Sequence, residues 1–206
     1  MGVQLNFVNQ SNDANNSQIV IFQKNVASDF EELAVAWRVI KYCGQGDNHP
    51  FTYPTSTQIA YADSWGNYTP QLDALPGERF EAVRTKSGDA IIRSPQSATA
   101  STQIELLNSL PQGGVTALIF KAARLFAQVP GVAPQQKAVF EFKPTIWIGV
   151  VSQIEQGEVI NSAILSEIDT EISLLGIASA DIVMTGGGPG PTAAPFAFTL
   201  QNIVMA

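Results

Sequence analysis

Apolar and polar side chains alternate along much of this chain. From Val3 to Val8, Val3, Leu5 and Phe7 fall on one side and Gln4 and Asn6 on the other. Period two is the signature of a half-buried β-strand, because successive side chains of an extended chain point to opposite faces. The same pattern recurs over Arg79–Thr85, Lys137–Phe142 and Thr145–Gln153. Short apolar or β-branched runs predict further strands at Gln18–Lys24, Leu33–Tyr42, Thr57–Ala62, Ala90–Arg93, Val159–Leu165, Asp181–Thr185 and Phe196–Val204.

Glycine, proline and asparagine clusters separate these runs. Irregular loops are expected over Ser11–Ser17, Cys43–Pro54, Asp63–Pro70, Ser94–Thr102 and Gly186–Pro191, with turns at Ser87-Gly88-Asp89 and Gln156-Gly157. Val115 to Val129 fits one helix or a hairpin turning near Ala122. The bracketing Gly113-Gly114 and Pro130-Gly131 favour the hairpin. One helix is predicted at Ser166–Leu175: Ser166 and Asp169 resemble a capping pair, Ile168, Ile172 and Leu175 share a face, and Gly176 follows.

A dozen short strands with turns every 8–12 residues or so predict an all-β fold. The expected architecture is a two-sheet antiparallel sandwich, jelly-roll-like, with the one short helix in the C-terminal third. No sharp change of composition marks a linker, so residues 1–206 are read as a single domain.

Composition refines the picture. Apolar residues make up 45% of the 206 and charged residues 14%, against roughly 25% charged in an average soluble domain. The net charge is −7. Eleven scattered basic residues cannot displace the counterions of a phosphate backbone, which argues against nucleic acid. No apolar run approaches the roughly 20 residues of a membrane helix, and no secretory leader is recognisable. The expected location is the cytoplasm, or outside the cell after release without a cleaved signal.

The chemistry-bearing residues are few. Cys43 is the only cysteine and His49 the only histidine. They stand six apart in a glycine-rich stretch that carries no known thiol-enzyme motif. No G-x-S-x-G elbow occurs. The loop 185–191 lacks the lysine and following helix of a phosphate cradle, and Pro189 and Pro191 remove two N–H donors. No catalytic residue and no metal ligand is assigned. Calcium is the one cofactor left open, because Asp47, Asn48, Asp63 and Asn67 have the oxygen ligands it uses.

The densest feature is a polar–aromatic cluster. Asp47, Asn48, His49, Tyr53, Asp63, Trp65, Asn67 and Tyr68 lie within 22 positions, mixed with Phe51 and Tyr61. Flat aromatic rings stack on sugar faces while carboxylates and amides bond hydroxyls; the same rings suit protein interfaces. The sequence therefore points to a non-enzymatic binding module, lectin-like, for a carbohydrate or a protein partner. The alternatives are a self-assembling structural or toxin-like homo-oligomer and a hydrolase with an unrecognised site.

Overall fold

The computed structural model describes residues 2–13, 17–27, 34–168, 170–190 and 193–206. Leu33, Asp169 and Pro191, which enter the sequence reading, and residues 14–16 of the expected loop Ser11–Ser17 lie outside the described residues. In chain order the strands are β1 (Gly2–Asn9), β2 (Gln18–Phe22), β3 (Arg38–Ile40), β4 (Asn48–Pro54), β5 (Thr57–Asp63) and β6 (Leu72–Ala74). There follow β7 (Glu78–Thr85), β8 (Gly88–Ser97), β9 (Ile104–Asn108), β10 (Val115–Lys121), β11 (Arg124–Val132), β12 (Lys137–Phe140) and β13 (Thr145–Val151). The helix α1 (Ser162–Glu167) precedes β14 (Thr170–Ser173), β15 (Ile177–Gly187) and β16 (Ala194–Met205).

The chain is almost entirely β, as the alternation requires. Among the described residues its strands form four sheets of four, where the sequence reading has two sheets. The sheets fall into two compact units: Met1–Gln23, Ala36–Thr55 and Pro144–Ala206 in the first, Lys24–Val35 and Ser56–Lys143 in the second. Period two places a side chain in or out of a core; it does not count the sheets, so four read as two.

The first unit holds the sheets β16-β15-β1-β4 and β14-β13-β2-β3. β1 runs parallel to β15 and antiparallel to β4, with Leu5 opposite both Ala180 and Phe51. Val3, Leu5 and Phe7 are buried and Gln4 is exposed. β2 is different, since Ile19, Val20, Ile21 and Phe22 are all buried. A strand covered on both faces reads as a continuous apolar run. Part of the cover is visible at Gly149, opposite Val20, where a Cβ would come within 2.5 Å of the Ile168 side chain. The buried ring of Trp37 stands edge-on to Tyr53 (5.5 Å between centroids) and Phe51 (6.5 Å) of β4. Such edge-on pairs add to the area they bury.

The second unit holds β11-β10-β5-β6 and β12-β9-β7-β8. Phe126 of β11 meets Phe142, just past β12, at 5.0 Å. Glu105 of β9 is a fully buried carboxylate. It accepts from Arg79 Nε (2.7 Å), Lys137 Nζ (2.5 Å) and the Thr99 N–H (3.0 Å). Burial raises its pKa, and the bonds from Lys137, Thr99 and Arg79 outweigh that, bringing it down to about 2. A buried charge is tolerated only with such partners.

The expected helix is displaced. Asn161 caps α1, its side chain accepting the Ile164 N–H at 3.0 Å, and by Thr170 the chain is a strand in which Ile172 pairs with Ile146. Ile172 and Leu174 are buried and Ser173 is exposed, so a four-residue spacing that fits a helix also fits two steps of alternation. The strand expected at Val159–Leu165 therefore gives way to α1. The irregular stretch expected over Cys43–Pro54 is strand from Asn48 onward, because the prolines lie on the edge strand β4, where a missing N–H is tolerated. β8 likewise extends to Ser97, into the expected loop Ser94–Thr102. Among the described residues of the long strand expected over Leu33–Tyr42, Arg38–Ile40 form the regular strand β3.

The ambiguous stretch 115–129 is the hairpin β10–β11, turning at Ala122-Ala123. Both alanines have positive φ (49° and 59°), the geometry of a type I′ turn that normally takes Asn-Gly. An L-side chain pays roughly 1 kcal/mol or more there. Ala123→Gly is expected to raise unfolding stability by about 1 kcal/mol in urea titration; an unchanged or lower midpoint contradicts the turn assignment.

The Glu105 cluster sets an acid limit. Its folded pKa lies below the ordinary value of 4.5. Its contribution is therefore complete above that value and is lost as pH falls from 4.5 towards 2. Glu105→Gln should cost about 2 kcal/mol at neutral pH, since both cations reach solvent and keep some hydration. It should also flatten the fall of stability across that acid range. A variant as stable and as acid-sensitive as the parent contradicts this account.

Candidate functional site

In the second unit, β5 ends at Asp63 and the chain turns through Ser64, Trp65, Gly66 and Asn67 before Tyr68 bridges back to Ala62. Asp63 organises this turn. Its Oδ1 accepts the N–H groups of Trp65 (2.8 Å) and Asn67 (2.9 Å), and its Oδ2 accepts the Asn67 Nδ2 (2.8 Å). The backbone closes as well, Asp63 N–H to the Asn67 carbonyl at 3.0 Å. Gly66 sits at φ 83°, a left-handed position that glycine adopts without a Cβ clash. Bonds from the Asn67 side chain and main chain hold the Asp63 carboxyl below its usual pKa range.

The turn carries two rings outward. Trp65 is 88% exposed and Tyr68 70%. Beside Trp65 lies a cavity of about 350 Å³, lined also by Asp63, Arg84, Asp89 and Gln112. Arg84 and Asp89 are cross-strand partners in the β7–β8 hairpin. The guanidinium grips the carboxylate with two nitrogens, Nε and Nη2, the latter 3.2 Å from Oδ2. Tyr61 precedes Asp63 by two on β5 and so shares its face of the strand. Its ring is buried, and its hydroxyl has no hydrogen-bond partner among the described residues. Burial, then the charges of Asp89 and Asp63, push its pKa up. The hydroxyl therefore stays protonated, able to donate and accept.

Of the eight sequence-assigned residues, Asp63, Trp65, Asn67 and Tyr68 are thus gathered on one turn. Asp47, Asn48, His49 and Tyr53 belong to the first unit. Asp47 Oδ2 accepts the Gly44 N–H at 3.0 Å. Asn48 is exposed at the start of β4. His49, opposite Phe7, places Nε2 3.4 Å from Arg38 Nη2. Burial and the Arg38 charge lower its pKa, so the imidazole is neutral near pH 7. Tyr53 is a core residue: its ring packs on Trp37 and its hydroxyl donates to Gln23 Oε1 at 2.8 Å. It alternates inward with Phe51 on β4.

Sequence reasoning missed Arg84, Asp89 and Gln112. The first two had a legible signal, because the turn at 86–87 of the hairpin sets residues 84 and 89 opposite one another. Nothing in the sequence brings the segment 110–114 to the same cavity.

The Cys43 thiol is pushed up in pKa, first by burial and then by Asp47, the reverse of an activated nucleophile. Among the described residues no three His, Cys, Asp or Glu side chains gather as a metal-ligand group, and no helix is long and apolar enough to cross a membrane. Comparison with protein-family models, curated proteins and solved structures finds no match.

The Cys43 environment has a kinetic consequence. Iodoacetamide should alkylate the folded protein at neutral pH more slowly than it does a free cysteine, whose pKa is about 8.5, and the rate should climb steeply above that pH. Rapid alkylation at pH 7 contradicts the assigned environment.

Proposed function

We propose that this protein is a non-enzymatic, lectin-like binding module whose ligand is a carbohydrate. The carrying observation is the Trp65 ring, 88% exposed on a turn clamped by Asp63, beside a cavity lined by the Arg84–Asp89 pair. A turn whose backbone is fixed before the ligand arrives loses little entropy on binding. Its face suits the C–H surface of a pyranose. Arg84 offers N–H donors and Asp89 acceptor oxygens, the complement of adjacent sugar hydroxyls. Asp47, Asn48 and His49, in the other unit, have no assigned part in this site. Two observations favour a sandwich in each unit: the Trp37 contacts with β4 in the first, and the Phe126–Phe142 contact in the second.

A glycan array followed by calorimetry tests the reading. The wild type should bind at least one glycan class. Trp65→Ala should weaken that binding at least about tenfold, or about 1.4 kcal/mol, and Trp65→Phe should retain part of it. Arg84→Ala should also weaken it. A folded wild type that binds no glycan contradicts the proposal, as does a Trp65→Ala variant of unchanged affinity.

A further inference from the structure

Four sheets of four strands have eight edges, and an unprotected edge is a row of unpaired N–H and C=O groups open to another chain. Seven of the eight are blunted. β3 and β6 are three residues long, and β12 and β14 four. β4 carries Pro50 and Pro54, β8 carries Asp89, Arg93 and Pro95, and β11 carries Arg124 and Pro130. The eighth edge, β16, is twelve residues long and has no charged side chain. Its one proline, Pro195, is at its start, and no charged side chain follows Asp181 in the sequence.

The strand is regular against β15 from Ala197 to Gln201, where a bulge at Asn202 (φ 50°) interrupts it. Phe196, Phe198 and Leu200 share one face and remain only half-buried. Past the bulge, Ile203, Val204 and Met205 are exposed, Met205 at 65%. Leu175, 72% exposed, adjoins them: Gly176 accepts the Ala206 N–H at 2.8 Å, and Ile177 pairs with Met205. An open backbone edge and an exposed apolar patch therefore run together.

We infer that β16 is a homodimer interface, pairing antiparallel with β16 of a second copy about a two-fold axis. Antiparallel self-pairing is isologous, so each copy supplies the edge the other lacks. A chain of net charge −7 repels its own copies, and this uncharged edge is where they approach with least repulsion. Pairing over Phe196–Gln201 would form about six backbone hydrogen bonds. It would also extend the face of Phe196, Phe198 and Leu200 over the partner's equivalent residues. The assembly closes at two. β16-to-β4 stacking, which would propagate a filament, meets the two prolines of β4, whose missing N–H groups belong to its outer edge. The inference does not rest on the Trp65 site.

Sedimentation velocity over a wide concentration range, with glycan absent, tests it. The wild type should pass from monomer to dimer and stop there. Thr199→Glu, at an exposed position of the regular run, should remain monomeric at concentrations at least tenfold above the wild-type midpoint, with dichroism and tryptophan fluorescence unchanged. Thr199→Val, which keeps β propensity, should dimerise like the wild type. A wild type that is monomeric throughout overturns the inference whether or not the Glu variant folds. Open-ended oligomers overturn it too, and so does a folded Thr199→Glu variant that still dimerises.

Discussion

An extended strand sends successive side chains to opposite faces, and its backbone leaves every sheet with two open edges. Those two constraints govern this chain. The first decides which residues are core: Leu5 and Phe7 in β1, Phe80 and Ala82 in β7, Ile146 and Ile148 in β13 are all buried at alternate positions. The second decides what the outer strands are made of. Proline, charge and brevity accumulate on seven edges, whereas β16 is long and uncharged with its one proline at the start, and the proposed pairing with a second copy rests on that difference.

The strands were legible in the sequence wherever alternation was undiluted, as in β1, β7 and β13. The hairpin β10–β11 was legible from its bracketing glycines, although its turn uses Ala122 and Ala123 in a geometry those residues resist. The helix was not. Ile168 and Ile172 satisfy the helical spacing and the strand spacing equally, and the decision fell to pairing with Ile146, a contact no local pattern encodes. Proline misled at β4, because a residue that breaks an inner strand is welcome at an edge. The grouping of the strands into four sheets also lay beyond a one-dimensional pattern, since alternation is the same in every sheet.

The candidate site was half legible. Asp63, Trp65, Asn67 and Tyr68 were named from composition, and the structure supplies the reason they lie on one turn: one carboxylate receives two backbone N–H groups and an amide, fixing the ring-bearing turn. Tyr53 was misread because a tyrosine in an aromatic cluster looks the same from the sequence whether its hydroxyl meets a ligand or Gln23. Arg84 and Asp89 were overlooked because a cross-strand ion pair two residues from a hairpin turn is ordinary until a cavity is seen beside it.

Amide hydrogen exchange followed residue by residue in dilute solution tests this account most directly. Inner strands such as β1, β5 and β10 should exchange slowly. The Trp65 and Asn67 amides should be protected although they lie in an exposed turn, and β16 amides that face away from β15 should exchange near the free-chain rate. Unprotected Trp65 and Asn67 amides, or uniform protection along β16 in the monomer, would contradict the description of both surfaces.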